Sequence, residues 1–209
     1  MSQRLIYVMD PMCSWCWGFM PVIQSIRERA PDLPIHFVAG GLRFSQREVL
    51  DERTRAALAE HWQAAAESSG QPFADPLGLP SGFIYNTEPA CRAMLVAREL
   101  AVGRVADLVA AMQHAFYVEL RDLCQVSVLL ELASACGYDP HVFAEQFDAE
   151  LTRAAVAVDL SWTRDLGIAG FPTLLAQRDG QLALLANGYQ PAASVLPLLD
   201  RWLAQGHQG

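Results

Sequence analysis

The sequence contains no lysine and no long apolar run, and these two absences exclude several classes of partner. All 15 of its Lys and Arg residues are arginine, against 23 Asp and Glu residues, which gives a formal net charge of −8. An acidic chain without basic clusters is poorly suited to bind nucleic acid or an anionic membrane surface. No apolar run reaches the roughly 18 residues that a membrane-spanning helix requires. We therefore expect no nucleic-acid partner and no membrane insertion.

The N-terminus also lacks the pattern of an export signal. Its first apolar run, 5–9, is shorter than the about 7–15 residues of a secretory signal. The chain has 5 cysteines, an odd number, and only Cys13 and Cys16 are close together. A secreted disulfide framework shows an even, regularly spaced set instead. We expect a cytoplasmic protein, where a close cysteine pair is more often catalytic or metal-binding than structural.

Short apolar runs predict four β-strands, and longer amphipathic stretches predict the helices. The predicted strands are 4–9, 35–39, 173–176 and 182–186. The predicted helices are 16–28, 45–68, 88–101, 105–118, 126–135, 141–147, 151–165 and 191–204. The sequence Arg178-Asp179-Gly180 is typical of a hairpin turn between the last two strands. Ser45 followed by Glu48 predicts a capping box at the start of the second helix.

The order of these elements predicts an α/β protein with an insertion. The chain opens with strand, helix and strand, and it closes with a hairpin and a helix. Only helices are predicted between these two halves. We therefore predict one discontinuous sheet domain from 1–44 and 166–209, and an inserted all-helical domain from 45–165.

The sequence Cys13-Ser14-Trp15-Cys16 lies where the first predicted strand leads into the first predicted helix. The first N–H groups of a helix lack intrahelical partners and the helix dipole is positive there, so both would stabilise a thiolate at Cys13. The thiolate is the nucleophilic form of cysteine. We predict that Cys13 attacks and that Cys16, one turn further on, resolves the mixed disulfide. Ser14 and Trp15 add no positive charge, which predicts an intermediate reduction potential.

Two other interpretations of the cysteine pair remain open. In the first interpretation the pair is half of a structural zinc site, and in the second it is a chemically inert pair. Zinc usually takes four ligands, but Cys91, Cys124 and Cys136 are scattered and the histidines form no cluster, so we predict no metal site. The three further cysteines are predicted to be free thiols without a redox role.

Two sequence motifs resemble the DsbA-like branch of the thioredoxin superfamily, near its FrnE-type proteins. They are 10–19 (DPMCSWCWGF), after the first strand, and 170–173 (GFPT), before the late hairpin. A weaker match is 113–117 (QHAFY), followed by Arg121-Asp122. The resemblance implies a thioredoxin-like mixed sheet with an inserted all-helical domain. It also implies protein-disulfide oxidoreductase or isomerase activity.

The resemblance further implies a cis-proline beside the cysteine pair. This residue is Pro172, and the backbone of Phe171 before it would pair with a bound peptide. Trp15 is expected to be exposed and to contact substrate. The candidate site therefore has two catalytic residues, Cys13 and Cys16, and four substrate-binding residues, Ser14, Trp15, Phe171 and Pro172.

The residues between the cysteines depart from the family pattern. Periplasmic DsbA has Pro-His there, so Ser14-Trp15 lacks a histidine that is expected to stabilise the thiolate. Kappa-class glutathione transferases and chromene-carboxylate isomerases share the fold but usually carry serine in place of Cys13. A glutathione-dependent transferase or isomerase stays open as an alternative, as does a non-enzymatic, redox-sensitive chaperone-like protein.

The expected partners follow from the dithiol. We predict thiols and disulfides of proteins or small molecules as partners. We predict no bound cofactor, with glutathione as a redox partner or co-substrate. We expect a monomer or a homodimer.

Overall fold

The computed structural model describes residues 3–206, which form four β-strands and eight α-helices. The strands are β1 (Gln3–Met9), β2 (Ile35–Ala39), β3 (Thr173–Arg178) and β4 (Gln181–Asn187). The helices are α1 (Ser14–Arg29), α2 (Glu52–Ser69), α3 (Glu88–Leu100), α4 (Val105–Tyr117), α5 (Val126–Ala135), α6 (Pro140–Asp148), α7 (Glu150–Asp165) and α8 (Ala192–Gln205). The two ends of the predicted sheet domain, 1–2 and 207–209, lie outside the described residues. None of the helices within 3–206 is both long and apolar enough to cross a membrane.

The strands form one mixed sheet in the order β2-β1-β3-β4. Strand β1 pairs in parallel with β2 and antiparallel with β3, and β3 pairs antiparallel with β4. β1 is apolar without interruption from Leu5 to Met9 and is buried throughout that run. Such continuous burial is expected for a strand that is covered on both faces. The predicted α/β fold with a mixed sheet is confirmed.

Successive β1 side chains point to opposite faces of the sheet, because side chains alternate along a strand. Leu5, Tyr7 and Met9 belong to the large buried cluster that includes α1 and α8. Ile6 and Val8 belong to a small cluster on the other face. The large cluster continues into the helices between β2 and β3. The predicted division of the chain at 45 and 165 stays a prediction.

The end of β2 is held by a buried ion pair between α3 and α7. Arg98 Nη1 donates to Asp159 Oδ2 at 2.8 Å and to the carbonyl oxygen of Phe37 at 2.8 Å. The same Asp159 oxygen accepts the N–H of Ala39 at 2.9 Å. Arg98 and Asp159 are only 8% and 7% exposed. The ion pair therefore fixes the end of β2. The next two residues, the glycines at 40–41, lie beside the candidate site.

Helix α2 is shorter than the sequence predicts. The predicted helix from 45 is wrong over its first seven residues, and Ser45 adopts a left-handed φ of 68°. Val49 forms an isolated β-bridge with Ile84, so this segment pairs with a later loop instead of coiling. The helix begins only after Asp51, whose side chain accepts the N–H of Thr54 at 2.7 Å. Asp51, and not the predicted Ser45, therefore caps the helix. The bridge between Val49 and Ile84 outweighs the capping pattern at Ser45.

The hairpin between β3 and β4 forms where the sequence predicts it. Asp179 and Gly180 both have positive φ, 48° and 82°. Two such residues make the turn whose twist matches that of the strands. The hairpin places β4 at the edge of the sheet, next to the turn that precedes β3.

Candidate active site

The segment between β1 and α1 is a tight turn held by Asp10. Its Oδ1 accepts the N–H of Met12 at 2.8 Å, and its carbonyl oxygen accepts the N–H of Cys13 at 3.0 Å. A short acidic side chain that bonds its own backbone two residues on is a common turn device. The turn ends β1 and places Cys13 directly before the first residue of α1.

Cys13 is the N-cap residue of α1, so the helix begins two residues earlier than predicted. Its carbonyl oxygen accepts the N–H groups of Cys16 and Trp17, both at 3.0 Å. Its side chain makes no capping hydrogen bond, and its sulfur lies 3.8 Å from the carbonyl oxygen of Phe171. The N–H groups of the first helical turn have no intrahelical partners and carry a positive partial charge. The Cys13 sulfur therefore lies at the positive end of α1, and the residue is 4% exposed.

Cys16 lies behind Cys13 and is fully buried. Burial raises the pKa of the Cys16 thiol well above its usual range, and the neighbouring Cys13 sulfur raises it further. Such a thiol stays protonated at neutral pH. Both cysteines are free thiols in this structure. The geometry thus separates an outer sulfur at the helix end from an inner, protonated one, which is the order predicted for attack and resolution.

The Phe171–Pro172 peptide bond is cis, and the turn that contains it faces Cys13. The contact between the Cys13 sulfur and the Phe171 carbonyl joins residues 158 positions apart. The N–H of Gly188 donates to the Pro172 carbonyl oxygen at 2.8 Å and ties the turn to the end of β4. The Phe171 ring lies against Gly40, where a Cβ atom would overlap the ring. The structure therefore brings the two sequence motifs together through the Cys13 sulfur and the Phe171 carbonyl oxygen, while the Phe171 ring packs against Gly40.

The two residues between the cysteines have different surroundings. Ser14 is buried, at 8% exposed, whereas Trp15 is half-buried and is less exposed than the sequence predicts. The Trp15 ring lies 6.0 Å from the ring of Tyr189, in the loop after β4. The Tyr189 hydroxyl donates to the carbonyl oxygen of Ser68 at 3.0 Å. Trp15 and Tyr189 therefore form an aromatic wall beside the cysteine pair, braced by the end of α2.

The segment between β2 and β3 also holds the start of α1. Trp17 Nε1 donates to the carbonyl oxygen of Pro72 at 3.0 Å, and Gln71 Nε2 donates to the carbonyl oxygen of Trp17 at 3.2 Å. The Tyr85 hydroxyl donates to the carbonyl oxygen of Met12. Sequence analysis did not identify Gln71, Tyr85 or Tyr189. No local pattern marks them, because each acts through a contact with a distant segment.

The Asp10 carboxylate also bonds residues that are distant in sequence. Its Oδ2 accepts the N–H of Leu42 at 2.8 Å and the thiol of Cys91 at 3.5 Å. The residue is fully buried, and burial raises the pKa of its carboxyl group. Asp10 thus connects the turn before Cys13 to the segment that follows β2. Its negative charge also raises the pKa of Cys16.

The other three cysteines, Cys91, Cys124 and Cys136, are also free thiols. Cys124 donates to the carbonyl oxygens of Ile84 and Asn86 at 3.1 and 3.2 Å, and burial raises its pKa to about 12. Burial also raises the pKa values of Cys91 and Cys136. Within residues 3–206, no group of three or more His, Cys, Asp and Glu side chains is arranged to hold a metal ion.

The raised thiol pKa values predict that the reduced protein loses stability in alkaline solution. Burial raises the pKa of Cys16, Cys91 and Cys124 in the folded state. The unfolded chain therefore releases these protons first, from about pH 8.5 upward. Each thiol then lowers the unfolding free energy by about 1.4 kcal/mol per pH unit until its folded pKa is reached. Urea unfolding of the reduced protein between about pH 7 and pH 11 measures this slope.

The matched control for the alkaline effect is Cys124→Ser. Serine does not ionise in this pH range, so the variant should show a shallower fall in stability than the wild type. An unfolding free energy that stays constant across the whole alkaline range would contradict the assignment of buried, protonated thiols.

The fold and the cysteine pair together define a class of protein. A mixed sheet carries a Cys-x-x-Cys pair at the start of its first helix, and the pair faces a cis-proline turn from a distant part of the chain. This arrangement is that of a thioredoxin-like protein. The chain belongs to the DSBA-like thioredoxin domain family, whose model matches residues 4–196. The predicted family and the predicted thioredoxin-like fold are therefore confirmed.

Individual relatives support the same assignment. A crystal structure of a candidate protein disulfide isomerase from Nitrosomonas europaea has 34% sequence identity and a TM-score of 0.90, and the match covers 100% of both chains. The cytosolic disulfide reductase DsbM from Pseudomonas aeruginosa has 32% identity and a TM-score of 0.81, over 96% of this chain and 99% of that one. The same protein with GSH matches at 30% identity and a TM-score of 0.78, over 95% and 98%.

A more distant curated relative is the ClpXP adapter protein SpxH of Bacillus subtilis. It is 24% identical over 168 residues, which is 79% of this chain and 55% of the relative. The chain thus spans about half the length of that curated relative.

Proposed function

We propose that this protein is a thiol–disulfide oxidoreductase that uses Cys13 and Cys16 to reduce disulfides of polypeptides or small thiol compounds. The proposal rests on the different surroundings of the two cysteine sulfurs. Cys13 lies at the N-terminus of α1, 3.8 Å from the Phe171 carbonyl oxygen, and Cys16 is buried behind it with a raised pKa. Membership of the DSBA-like family and the likeness to a disulfide reductase support the proposal.

The first chemical step is an exchange at Cys13. Its thiolate attacks one sulfur of a substrate disulfide, a bond forms between that sulfur and Cys13, and the substrate S–S bond breaks. The second substrate sulfur leaves with the bonding electron pair and takes a proton from solvent. Cys13 is the N-cap residue of α1, where the first N–H groups of a helix lack intrahelical partners.

The second step resolves the mixed disulfide. The Cys16 sulfur attacks the Cys13 sulfur, and the bond between Cys13 and the substrate sulfur breaks. The Cys16 proton passes to the departing substrate sulfur, and a Cys13–Cys16 disulfide forms. Two electrons have then passed from the protein to the substrate, which leaves as two thiols. The raised pKa of Cys16 keeps this sulfur protonated until the mixed disulfide is in place.

An external thiol must then restore the dithiol. One glutathione thiolate attacks the Cys13–Cys16 disulfide, and a second releases glutathione disulfide and regenerates both protein thiols. The GSH-bound structure of the related reductase supports glutathione as this partner. We propose a cytosolic location, as in the name of that relative. A glutathione pool at about −220 to −320 mV would keep a dithiol of moderate potential largely reduced.

The substrate-binding residues have distinct proposed roles. The backbone beside Pro172 orients an extended peptide by main-chain hydrogen bonds. Trp15 contacts the group attached to the substrate sulfur, with Tyr189 holding its ring in place. Ser14, which is 8% exposed between the two cysteines, is the remaining proposed substrate contact. Isomerase activity would need only the first exchange and its reversal at another sulfur.

The proposal is tested by trapping the mixed disulfide. Cys16→Ala removes the resolving sulfur, so incubation with glutathione disulfide should leave glutathione bound to Cys13, as seen by mass spectrometry and peptide mapping. The double variant Cys13→Ser/Cys16→Ala should form no such adduct. An adduct that forms only on Cys124 or Cys136, or no adduct at all, would show that Cys13 is not the attacking group.

A further inference from the structure

Tyr7, in the middle of β1, is fully buried and reaches the first turns of α1. Its ring packs against Phe19 of α1, with the ring centroids 5.8 Å apart, and against Phe37 of β2, at 5.5 Å. Its hydroxyl lies 3.5 Å from the carbonyl oxygen of Cys16, which is the outer limit of a hydrogen bond. The ring therefore holds the hydroxyl in place, and the hydroxyl can still donate to a better acceptor.

The better acceptor beside this hydroxyl is the sulfur of Cys16. Burial raises the pKa of Tyr7 well above its usual range, and the charges of Cys16 and Cys13 and a side-chain hydrogen bond with Cys16 raise it further. The phenol therefore stays protonated at physiological pH, so it acts as a donor and not as a base. Tyr7 can stabilise a negative charge on the Cys16 sulfur, but it does not take the proton from the thiol.

The Cys16 sulfur gains negative charge at two points of the proposed cycle. In the resolving step it attacks the Cys13 sulfur as its proton leaves. In the regenerating step a glutathione thiolate bonds to the Cys13 sulfur, the Cys13–Cys16 bond breaks, and its electron pair stays on the Cys16 sulfur until a proton arrives from solvent. Cys16 is fully buried, so water stabilises this charge poorly. A buried charge is costly unless hydrogen bonds satisfy it.

The Asp10 carboxylate does not supply the missing donor. Its negative charge raises the pKa of Cys16, although a hydrogen bond from the Asp10 backbone lowers it. The carboxylate itself accepts the N–H groups of Met12 and Leu42 and the thiol of Cys91. A side-chain donor beside the Cys16 sulfur must therefore come from another residue, and Tyr7 is placed to be that residue.

We propose that the Tyr7 hydroxyl donates a hydrogen bond to the Cys16 sulfur while that sulfur carries negative charge, and so accelerates both its attack and its departure. This inference rests on the proposed function, to which it adds a catalytic residue outside the Cys13–Cys16 segment. Hydrogen bonds to charged groups are stronger than neutral ones, so the bond favours the anionic sulfur over the thiol and over the disulfide.

The test uses Tyr7→Phe, which removes the hydroxyl and keeps the ring between Phe19 and Phe37. The Cys13–Cys16 disulfide is formed with diamide and cleaved with reduced glutathione, and the free thiols are followed by alkylation and mass spectrometry. The variant should be cleaved about tenfold more slowly than the wild type, because Cys16 leaves without its side-chain donor. After reduced protein is mixed with glutathione disulfide, the adduct on Cys13 should also persist about tenfold longer in the variant.

A second comparison separates this role from a general effect on the fold. In a Cys16→Ala background the sulfur that Tyr7 contacts is missing. Tyr7→Phe should then leave the rate at which glutathione disulfide modifies Cys13 unchanged, whereas a merely structural role would slow this reaction too. Equal slowing with and without Cys16 would overturn the proposal.

The matched control is Tyr138→Phe. Tyr138 is 5% exposed, and its hydroxyl lies 3.5 and 3.4 Å from the carbonyl oxygens of Ala97 and Ala101. The substitution removes an equally weak hydroxyl contact at the end of α3, so cleavage and resolution should keep their wild-type rates. A Tyr138→Phe variant as slow as Tyr7→Phe, or a Tyr7→Phe variant as fast as the wild type, would overturn the proposal.

The cleavage rates also separate this inference from the proposed function, because they require no turnover of a substrate. If the wild type reduces insulin and Tyr7→Phe is cleaved at the same rate, only the inference fails. If the Tyr7 effect is present and no substrate disulfide is reduced, only the proposed function fails. A wild type that forms no Cys13–Cys16 disulfide with diamide would overturn both.

Discussion

Replacing Cys13 with serine is expected to lower disulfide reduction by about three orders of magnitude or more, to the uncatalysed rate. A serine hydroxyl is not ionised at neutral pH, and an oxygen in its place cannot form the mixed disulfide. Cys16 does not substitute for it, because that thiol is fully buried and its raised pKa keeps it protonated. Insulin reduction with dithiothreitol as electron donor, followed by turbidity, measures the loss.

Cys136→Ser is the matched control for this prediction. Cys136 is a partly exposed free thiol outside the dithiol, so the same atomic change there should leave turnover at the wild-type level. If Cys13→Ser retained wild-type turnover, the proposed mechanism would have no nucleophile. If both variants were equally impaired, the loss would reflect the fold and not the chemistry at Cys13.

Asp159→Ala is expected to lower the unfolding free energy by about 3–5 kcal/mol. The change leaves the buried Arg98 guanidinium without its carboxylate and the Ala39 N–H without its acceptor. Because domains of this size have a total stability of about 5–15 kcal/mol, the loss is a large fraction of it. Urea unfolding followed by tryptophan fluorescence measures the change.

Two controls make the stability prediction specific. Asp200→Ala removes an exposed carboxylate that pairs with Arg29, and it should have only a small effect. Arg98→Leu/Asp159→Leu removes both buried charges and should recover part of the stability that the single variant loses, because an unpaired buried charge is the main cost. A single variant as stable as the wild type would mean that the Arg98–Asp159 contact does not hold β2.

Local patterns in the sequence predict most of the elements of this fold. Strand β2 and helix α5 have the predicted bounds, since each is a compact apolar pattern. The hairpin follows from Asp179-Gly180, a local signal of backbone conformation. The segment 45–51 is not helical, because its structure depends on Ile84, which lies more than 30 residues further along the chain.

In the candidate site, too, the features that depend on local sequence could be predicted, and those that depend on tertiary contacts could not. The place of Cys13 before α1 could be predicted, because it depends only on a strand, a turn and a helix in succession. The wall formed by Trp15 and Tyr189 could not, because those residues meet only after the sheet and the helices have assembled. Asp10 is an intermediate case. Its turn is local, but its contacts with Leu42 and Cys91 are not.

The wide separation of the two halves of the site has a consequence for biosynthesis. The Cys13 sulfur meets a carbonyl 158 residues further along the chain. A ribosome adding about 5–20 residues per second needs roughly 8–30 s to cover that distance. During that interval the nascent polypeptide carries both thiols without the Phe171–Pro172 turn that faces Cys13 in the folded protein. The newly synthesised chain therefore passes through a stage in which its own cysteines are open to oxidation or to pairing with other thiols.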